Sequence, residues 1–511
     1  MATRLERRGG LLALPLFLLV FGFMSAAMLI PSAYASILGE HRTAQAFLYS
    51  GMLGMIIFGL IALAHAGRAP RHGTLGPLMA LFCAFVALPA ILAVPFYEGL
   101  GTTVYFNAYF EMVSAITTTG ATVFENPARL NAPLHLWRAM VGWFGGLLMW
   151  IAAAAILAPL NLGGFEVTAR AQPGRSDGSD VTMRAPEVRQ RVARATGALL
   201  PIYVSLTMLL WLLLIIGGDV SLTALCHAMS VMATSGISPV GGIENGASGV
   251  SGEAVMFLFM LFALSRLTFS RDTAGGGEAG LWGDPELRIG LLIVVAVPLF
   301  LFLRHWLGAF DVGEEDSLAE ALSALWGGLF TVLSFLSTTG FISGSWEDAQ
   351  SWSGLGTTGI LLMALALIGG GVATTAGGVK LLRVFALYQN GLREMERLVH
   401  PSSVSGAGKM GRRLQRDGAF IAWIFFMLFA ISIAGITLLL SLIGVPFDTA
   451  MIMAVSGLST TGPVLSVAGE GGIALAAMPA AAKGVYIGAM VIGRLETLAI
   501  IALLTPDLWR G

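Results

Sequence analysis

A short Ser/Thr-rich segment that ends in glycine occurs four times in this chain, and it constrains the fold more than any other feature. The copies end at Gly120, Gly236, Gly340 and Gly462. A serine stands six residues before each glycine, a threonine two before it, and a threonine or serine directly before it. The copies lie 116, 104 and 122 residues apart, and self-similarity at such a long period predicts four structural repeats.

The repeats belong to a chain whose composition is that of an integral membrane protein. Of its 511 residues, 56% are hydrophobic and only 12% are charged, as expected when long apolar runs cross a bilayer. The net charge of −1 gives no reason to expect a nucleic-acid partner. Cys83 and Cys226 lie in apolar segments, and their positions match no metal-site or disulfide spacing.

A polar, glycine-centred turn in such a chain is explained by ion conduction. Backbone without helical hydrogen bonds is tolerated at membrane depth only where protein buries it or where it lines a wet cavity. A ring of four turns can point carbonyl and threonine oxygens inward and replace the hydration shell of a cation, with glycine supplying a positive φ. The predicted cation filter comprises Thr118, Thr119, Gly120, Thr234, Ser235, Gly236, Thr338, Thr339, Gly340, Thr460, Thr461 and Gly462.

Apolar runs divide the chain into two extra N-terminal spans and four units of span, filter turn and span. The run before each turn is about three helical turns long, too short to cross a bilayer, and predicts a re-entrant pore helix. The predicted fold is an all-α integral membrane protein in which four helix–pore loop–helix repeats have a pseudo-fourfold arrangement. The predicted divisions are 1–73 for the extra helices and 74–194, 195–288, 289–418 and 419–511 for the repeats.

The distribution of charge predicts the orientation. Most arginines and lysines lie at the N-terminus and within 68–71, 170–194, 271–288 and 393–416, which share one side if the spans alternate. The positive-inside rule makes that side cytoplasmic, so the filter turns enter from outside. The outer side collects Glu314, Glu315, Asp316, Glu347 and Asp348. These residues either raise the local cation concentration or belong to ordinary solvated loops.

Glycines interrupt the second span of the third repeat. Each of the five glycines between Gly369 and Lys380 lowers helix propensity by about 1 kcal/mol relative to alanine. A phosphate-binding loop is excluded because no Ser or Thr follows Lys380 and no strand precedes the segment. The segment is either a glycine-rich helix-packing face or, as we prefer, an unwound stretch that crosses the pore beneath the filter. The predicted gate comprises Gly369, Gly370, Gly371, Ala373, Thr374, Thr375, Gly377, Gly378 and Lys380.

Arg494 is a second cation at membrane depth, where charges usually face a wet cavity. Glu496 is the nearest acid in the sequence, but residues two apart on a helix point in different directions. We expect one of the pair to face the pore and the other to find a partner on another helix. A purely structural ion pair for Arg494 remains the alternative.

Several motifs together resemble a known family. They are Thr117-Thr-Thr-Gly-Ala-Thr122, Ser337-Thr-Thr-Gly-Phe341, Thr461-Gly-Pro463, Gly142-Trp-Phe-Gly-Gly146, Gly369 to Lys380, Leu398-Val-His-Pro401 and Gly493-Arg-Leu-Glu-Thr497. The chain resembles the TrkH-type subunit of bacterial potassium uptake systems, within the superfamily of Trk, Ktr and HKT cation transporters. The two extra N-terminal helices are similar to TrkH rather than to the shorter Ktr type.

The resemblance implies a dimeric potassium uptake protein of the bacterial inner membrane, with K⁺ as transported ion and no organic cofactor. It implies a cytosolic nucleotide-binding subunit of the TrkA type and a gate in the third repeat. A glycine in all four filter turns is similar to potassium-selective members, and sodium or non-selective transport is the alternative. The chain departs from the family pattern at Ser235, at Val464-Leu465 and at Val372-Ala373-Thr374-Thr375, which bears on fine selectivity and conductance.

Two other classes of protein fit the sequence less well. An intramembrane enzyme needs a nucleophile with a base, or paired acids, but His135, His227, His305 and His400 do not cluster with Ser or Asp. A secondary transporter with inverted repeats is disfavoured because the four units run in the same direction relative to the membrane. The sequence therefore predicts a channel-like transporter rather than an enzyme.

Overall fold

A computed structural model describes residues 14–65, 75–158, 185–265, 284–308, 318–400, 416–469 and 471–496. Within these ranges the chain is helical, and eight helices are long and apolar enough to cross a membrane, or nine if one bent pair counts as a single span. The chain is therefore a multi-pass membrane protein, as predicted. Arg68 to Arg71 and the acidic residues Glu314, Glu315 and Asp316 lie outside the described residues.

Two N-terminal spans precede the repeats. Helices α1 (Leu16–Ala27) and α2 (Leu29–Ile37) follow each other as one span, and α3 (His41–His65) forms the second. Gly54 of α3 lies so close to Ser25 of α1 that a side chain there would overlap the serine hydroxyl. The absence of a Cβ thus lets the two spans pack closely.

Each repeat contributes a first helix, a pore helix and a second helix. The first helices are α4 with α5 (Leu75–Val86 and Leu88–Leu100), α8 (Ala185–Ile216), α11 (Pro285–Gly308) and α16 (Arg416–Leu442). The pore helices are α6 (Tyr105–Ile116), α9 (Ser221–Ala233), α12 (Leu318–Leu336) and α17 (Phe447–Leu458). The second helices are α7 (Ala132–Ala152), α10 (Gly249–Met260), α14 with α15 (Thr358–Ile368 and Leu381–Val399) and α19 (Ala480–Leu495). Short helices α13 (Trp346–Ser353) and α18 (Val464–Val467) follow the third and fourth filter turns.

The pore helices differ in length. Helices α6 and α17 have 12 residues and α9 has 13, as the prediction of short helices requires. The prediction is wrong for α12, whose 19 residues are long enough to span. Its first turns, beginning Leu318-Ala-Glu-Ala-Leu, are exposed or half-buried and rich in strong helix formers, so the helix continues beyond its buried part.

Glycines on the second helices let the pore helices approach closely. A Cβ on Gly145 of α7 would overlap the carbonyl of Ile116, and a Cβ on Gly493 of α19 would overlap the carbonyl of Leu458. Ile116 and Leu458 each stand four residues before a filter glycine. The first and fourth repeats therefore use the same contact to place the end of the pore helix.

Candidate functional site: a ring of four filter turns

Each pore helix ends in the same hydrogen-bonded turn. In the first repeat the Thr118 amide donates to the Ala115 carbonyl and the Thr119 amide donates to the Ser114 carbonyl, both at 2.9 Å. This pair of bonds is the Schellman motif, which ends a helix with one residue in the left-handed conformation. The serine common to all four copies thus accepts a backbone bond from the residue five positions later; the equivalent donors are Ser235, Thr339 and Thr461.

The left-handed position of this motif holds threonine in all four repeats. The φ values are 54° at Thr118, 49° at Thr234, 60° at Thr338 and 53° at Thr460, and all four residues are buried. A positive φ is unusual for a β-branched residue and costs about 1–2 kcal/mol per residue. The same departure at four aligned positions shows that the left-handed residue is part of the turn that the four copies share.

The filter glycines follow the prediction in three repeats and not in the fourth. Gly120, Gly236 and Gly340 have φ values of 74°, 64° and 80°, as expected. The expectation is wrong for Gly462, which has no positive φ. The amide of Gly462 instead donates to the Thr119 carbonyl of the first turn at 2.6 Å, and Pro463 directly precedes the helix α18.

The four turns form a ring in chain order. An added Cβ on Gly120 would overlap the Ser235 carbonyl, and one on Gly236 would overlap the Thr339 carbonyl. One on Gly340 would meet the Pro463 ring, and one on Gly462 would overlap the backbone of Ala121. Each glycine therefore faces the next turn, the last faces the first, and the ring has no space for a side chain at these positions.

The filter oxygens are those of backbone carbonyls and threonine hydroxyls. Among the described residues no group of three or more His, Cys, Asp or Glu side chains is placed to hold a metal ion. Transition-metal sites use imidazole or thiolate ligands, whereas neutral carbonyl and hydroxyl oxygens are the ligands of monovalent-cation filters. The residues predicted to form the filter are thus brought together in one ring of contacting turns.

Polar side chains of the pore helices contact the segments that follow the filter glycines, a role that the sequence analysis did not assign to them. The residue nine before the glycine is Glu111 in the first repeat and His227 in the second. Glu111 Oε1 accepts from the Thr122 hydroxyl and the Val123 amide, both at 2.7 Å, and His227 Nε2 lies 2.9 Å from the Ser238 hydroxyl. Alignment on the filter glycine reveals this shared position.

The third and fourth repeats have a threonine and a methionine at this position. Thr331, the equivalent residue of the third repeat, accepts from the Ser343 amide at 3.3 Å. Glu253 of α10, in the second repeat, also reaches this segment and accepts from the Ser343 hydroxyl and the Gly344 amide, both at 2.7 Å. The fourth repeat has Met453, which offers no hydrogen-bonding group beyond a weak thioether acceptor.

Arg138 adds a buried charge beside the first turn. Its Nε lies 2.9 Å from Glu111 Oε2, and both side chains are at least nine-tenths buried. Removing one partner of a buried pair leaves the other charge uncompensated, which costs about 3–5 kcal/mol. This pair therefore fixes the position of Glu111 and, through it, the segment after Gly120.

The segment between α14 and α15 is unwound and lies against the ring. The Gly377 amide donates to the Thr338 hydroxyl at 2.7 Å, and the Thr234 and Thr375 hydroxyls are 3.2 Å apart. A Cβ on Gly377 would overlap the Ser459 carbonyl and the Thr460 hydroxyl. The segment thus touches the threonines of three repeats, which excludes a continuous helix-packing face.

Several hydrogen bonds satisfy the freed backbone of this segment. The Gly371 amide donates to the Ala263 carbonyl at 2.9 Å, and the Val372 amide donates to Glu286 Oε1 at 3.0 Å. The Leu381 amide donates to the Gly370 carbonyl at 3.0 Å, and Lys380 Nζ donates to the Ala376 carbonyl. The segment is therefore an ordered loop, and the hydrogen-bond partners of Gly371 and Val372 lie in the turn after α10 and on α11.

Arg494 and Glu496 separate as the sequence predicts. Arg494 is buried and its Nη1 donates to the Thr375 carbonyl at 2.7 Å, so it contacts the interrupted segment. Glu496 pairs with Arg383 of α15 at 2.6 Å, and the Arg383 guanidinium also lies 3.6 Å from the centre of the Phe425 ring. The prediction that one member of the pair finds its partner on another helix is confirmed, and that member is Glu496.

Cavities lie on both sides of the ring. One of about 360 Å³ is lined by Gly120, Gly236, Gly462 and the residues that follow them, including Arg138. A smaller one of about 30 Å³ lies beside Thr234, Thr374 and Thr375, on the side of the interrupted segment. The larger cavity therefore borders three of the four filter glycines, whereas the smaller one borders the interrupted segment and Thr234.

Comparisons with known proteins agree on one family. The TrkH family profile, described as a cation transport protein, matches residues 84–507. The Trk system potassium uptake protein TrkH of Salmonella typhimurium is 29% identical over 95% of this chain and 96% of its own length. TrkI of Halomonas elongata is 33% identical over 83% of this chain and 81% of its own. The crystal structure of the potassium transporter TrkH from Vibrio parahaemolyticus superposes with a TM-score of 0.78 at 25% identity, covering 97% and 98% of the two chains.

Proposed function

This chain belongs to the TrkH family of cation transport proteins, and we propose that it takes up potassium ions across the bacterial inner membrane through the ring of four filter turns. The ring itself carries the proposal: four aligned threonines share a left-handed φ, and each filter glycine contacts the next turn, which supports equivalent roles for the four turns. Coordination by such neutral oxygens replaces the hydration shell of a dehydrated ion. The relatives named as potassium uptake proteins support potassium as the ion.

The segment from Gly369 to Lys380 acts as the gate in this proposal. It touches Thr234, Thr338 and Thr460, which leaves an ion little room to pass from the filter to that side. Its backbone has partners in the present arrangement, and water can supply partners in a withdrawn one. A regulator that binds the withdrawn arrangement better would open the pore by its differential affinity for the two.

Arg494 sets an electrostatic barrier at the same place. Its guanidinium is held at the Thr375 carbonyl, at the gate and close to the filter threonines. A fixed positive charge near a pore raises the energy of a passing cation, and the effect is large where water is scarce. Arg494 thereby strengthens the closure that the gate provides.

The assembly follows the family. The chain forms a homodimer in the inner membrane, surrounded by lipid, with its N-terminus in the cytoplasm. A cytosolic nucleotide-binding subunit of the TrkA type docks on the basic cytoplasmic face and acts on α15, which follows the gate directly. The repeats divide near 73/74, 194/195, 288/289 and 418/419. Transport of sodium, or of monovalent cations without selection, by the same fold is the second candidate.

Ion flux in proteoliposomes tests the proposal. The purified chain is reconstituted with a defined potassium gradient and, in parallel, with an equal sodium gradient. Potassium flux well above both sodium flux and the flux of empty vesicles is expected. Equal fluxes of the two ions would support the non-selective alternative. Flux no greater than that of empty vesicles, both in the wild type and in a folded variant that lacks gate residues 373–376, would refute transport through this ring.

A further inference from the structure

Glu253 lies at an unusual place for a carboxylate. It is on α10 of the second repeat, 5% exposed, and surrounded by residues of the third repeat. Its Oε2 accepts from the Trp326 indole at 2.8 Å and from the Ser343 hydroxyl at 2.7 Å, and its Oε1 accepts from the Gly344 amide at 2.7 Å. Within the described residues no lysine or arginine pairs with it.

These three donors connect both sides of the third filter turn. Trp326 lies on the pore helix α12, before the turn, whereas Ser343 and Gly344 follow Gly340 by three and four residues. One carboxylate therefore holds together the helix that enters the turn and the backbone that leaves it. Hydrogen bonds to a charged acceptor are shorter and about twice as strong as neutral ones, so this connection is rigid.

In the first repeat, the carboxylate that holds the backbone after the filter glycine belongs to the same repeat. There Glu111 of the pore helix holds Val123, three residues after Gly120. The equivalent position of the third repeat is Thr331, whose bond to the Ser343 amide is long at 3.3 Å. The neighbouring repeat thus supplies through Glu253 the carboxylate that the third repeat lacks.

We propose that Glu253 is a positioning residue for ion selection: it holds the third filter turn from behind and keeps the Thr339 and Gly340 carbonyls at the spacing that suits potassium. The proposal rests on the proposed function of the ring. A filter distinguishes ions of similar charge by the spacing and stiffness of its carbonyls. Loosening one turn should therefore reduce selection before it reduces conduction.

The isosteric variant Glu253→Gln is a sharp test because no orientation of the amide satisfies the site. If the NH₂ group of the glutamine takes the position of Oε1, it faces the Gly344 amide. If the NH₂ group takes the position of Oε2, it faces the Trp326 indole. Both neighbours can only donate. The variant thus removes charge and introduces a donor–donor conflict with almost no change in volume.

The readout is the ratio of potassium to sodium flux in proteoliposomes. Residues that orient an ion's ligands without touching the ion typically cost about tenfold or more when removed, and we expect the ratio to fall by about that factor. Glu98→Gln, at an exposed carboxylate of α5, makes the same chemical change and should leave the ratio as it is. A merely structural role would reduce the amount of folded protein and lower both fluxes equally.

Two further variants keep the test decisive if Glu253→Gln does not fold. Trp326→Phe and Ser343→Ala each remove one donor and leave the carboxylate in place, and each should lower the ratio by a smaller factor. An unchanged ratio in all folded variants, with a selective wild-type chain, overturns the role of Glu253 and leaves the proposed function standing. A wild-type chain that does not prefer potassium overturns both.

Discussion

Replacing Gly377 by alanine tests whether the interrupted segment is the gate. Gly377 is the point at which the segment meets the filter, since its amide donates to the Thr338 hydroxyl at 2.7 Å. An alanine Cβ would lie well inside 3.0 Å of the Ser459 carbonyl and the Thr460 hydroxyl. Both neighbours belong to the fourth turn, whose backbone cannot move without distorting the ring. The segment must therefore retreat.

The size of the effect follows from these contacts. The Cβ would lie 2.1 Å from the Ser459 carbonyl oxygen, so restoring ordinary contact, at 3.4 Å or more, requires a displacement of about 1.3 Å. Such a shift breaks the bond to Thr338, which contributes about 1 kcal/mol in a typical case. If the segment exchanges between a closed and a withdrawn arrangement, 1 kcal/mol changes their ratio by about fivefold. Potassium flux without a regulatory partner should rise by about that factor or more.

The assay is potassium flux in proteoliposomes that contain the purified chain alone. Gly391→Ala is the matched control, because it makes the same change on α15, where no atom lies within 4 Å of the added Cβ. The control should conduct like the wild type. Flux in Gly377→Ala that equals or falls below that of the control, with normal folding, would refute the assignment of the gate to this segment.

Four further predictions follow from the ring and its surroundings. Gly120→Ser should lose discrimination against sodium in flux measurements because its side chain would overlap the Ser235 carbonyl, whereas Gly39→Ser, at a similar φ of 76° in open space, should not; an unchanged ratio would contradict the filter assignment. Arg494→Ala should raise potassium flux by removing a charge at the gate, and a folded variant with no gain would make that charge structural. Deleting residues 373–376 should give a pore that conducts more and depends less on the regulatory subunit. Potassium uptake that stays at the wild-type rate and remains fully nucleotide-dependent would disprove this prediction. Glu496→Gln should lower the melting temperature in detergent because it replaces the charged acceptor 2.6 Å from the buried Arg383 guanidinium by a neutral amide; an unchanged melting temperature would show that the pair contributes little.

The sequence predicts the repeats well because each filter turn needs the same residues at the same offsets. A Schellman turn that places carbonyls toward an axis requires a helix end, a left-handed residue and a bend within seven positions. That requirement is local, so it appears as an aligned pattern from Ser114 to Gly120 and in three further copies. The interruption after Ile368 is predictable for the same reason, since a run of glycines is unfavourable in a helix wherever it lies.

Contacts between repeats could not be predicted in the same way. The bonds of Glu253 join residues 73, 90 and 91 positions apart, and the pair of Arg383 with Glu496 joins residues 113 apart. No local pattern marks such partners, because any polar residue near the right depth would fit the sequence equally well. The left-handed φ at Thr118 was also missed, since threonine rarely adopts it and only the surrounding hydrogen bonds impose it.

The fourth repeat shows how departures in sequence and in structure coincide. At the position that carries Glu111, His227 and Thr331 in the other repeats, it has Met453, so no strong acceptor holds the backbone after Gly462. In the same repeat Val464 and Leu465 follow the proline, and the chain turns at once into the helix α18. Gly462 has no positive φ, and its amide bonds to the first turn instead of turning with the others. Pro463 accounts for the backbone of Gly462, because the residue before a proline is restricted to extended conformations with negative φ. The same proline leaves the left-handed Thr460 in place, so the fourth turn keeps the helix end that the other three share and departs from them only after it.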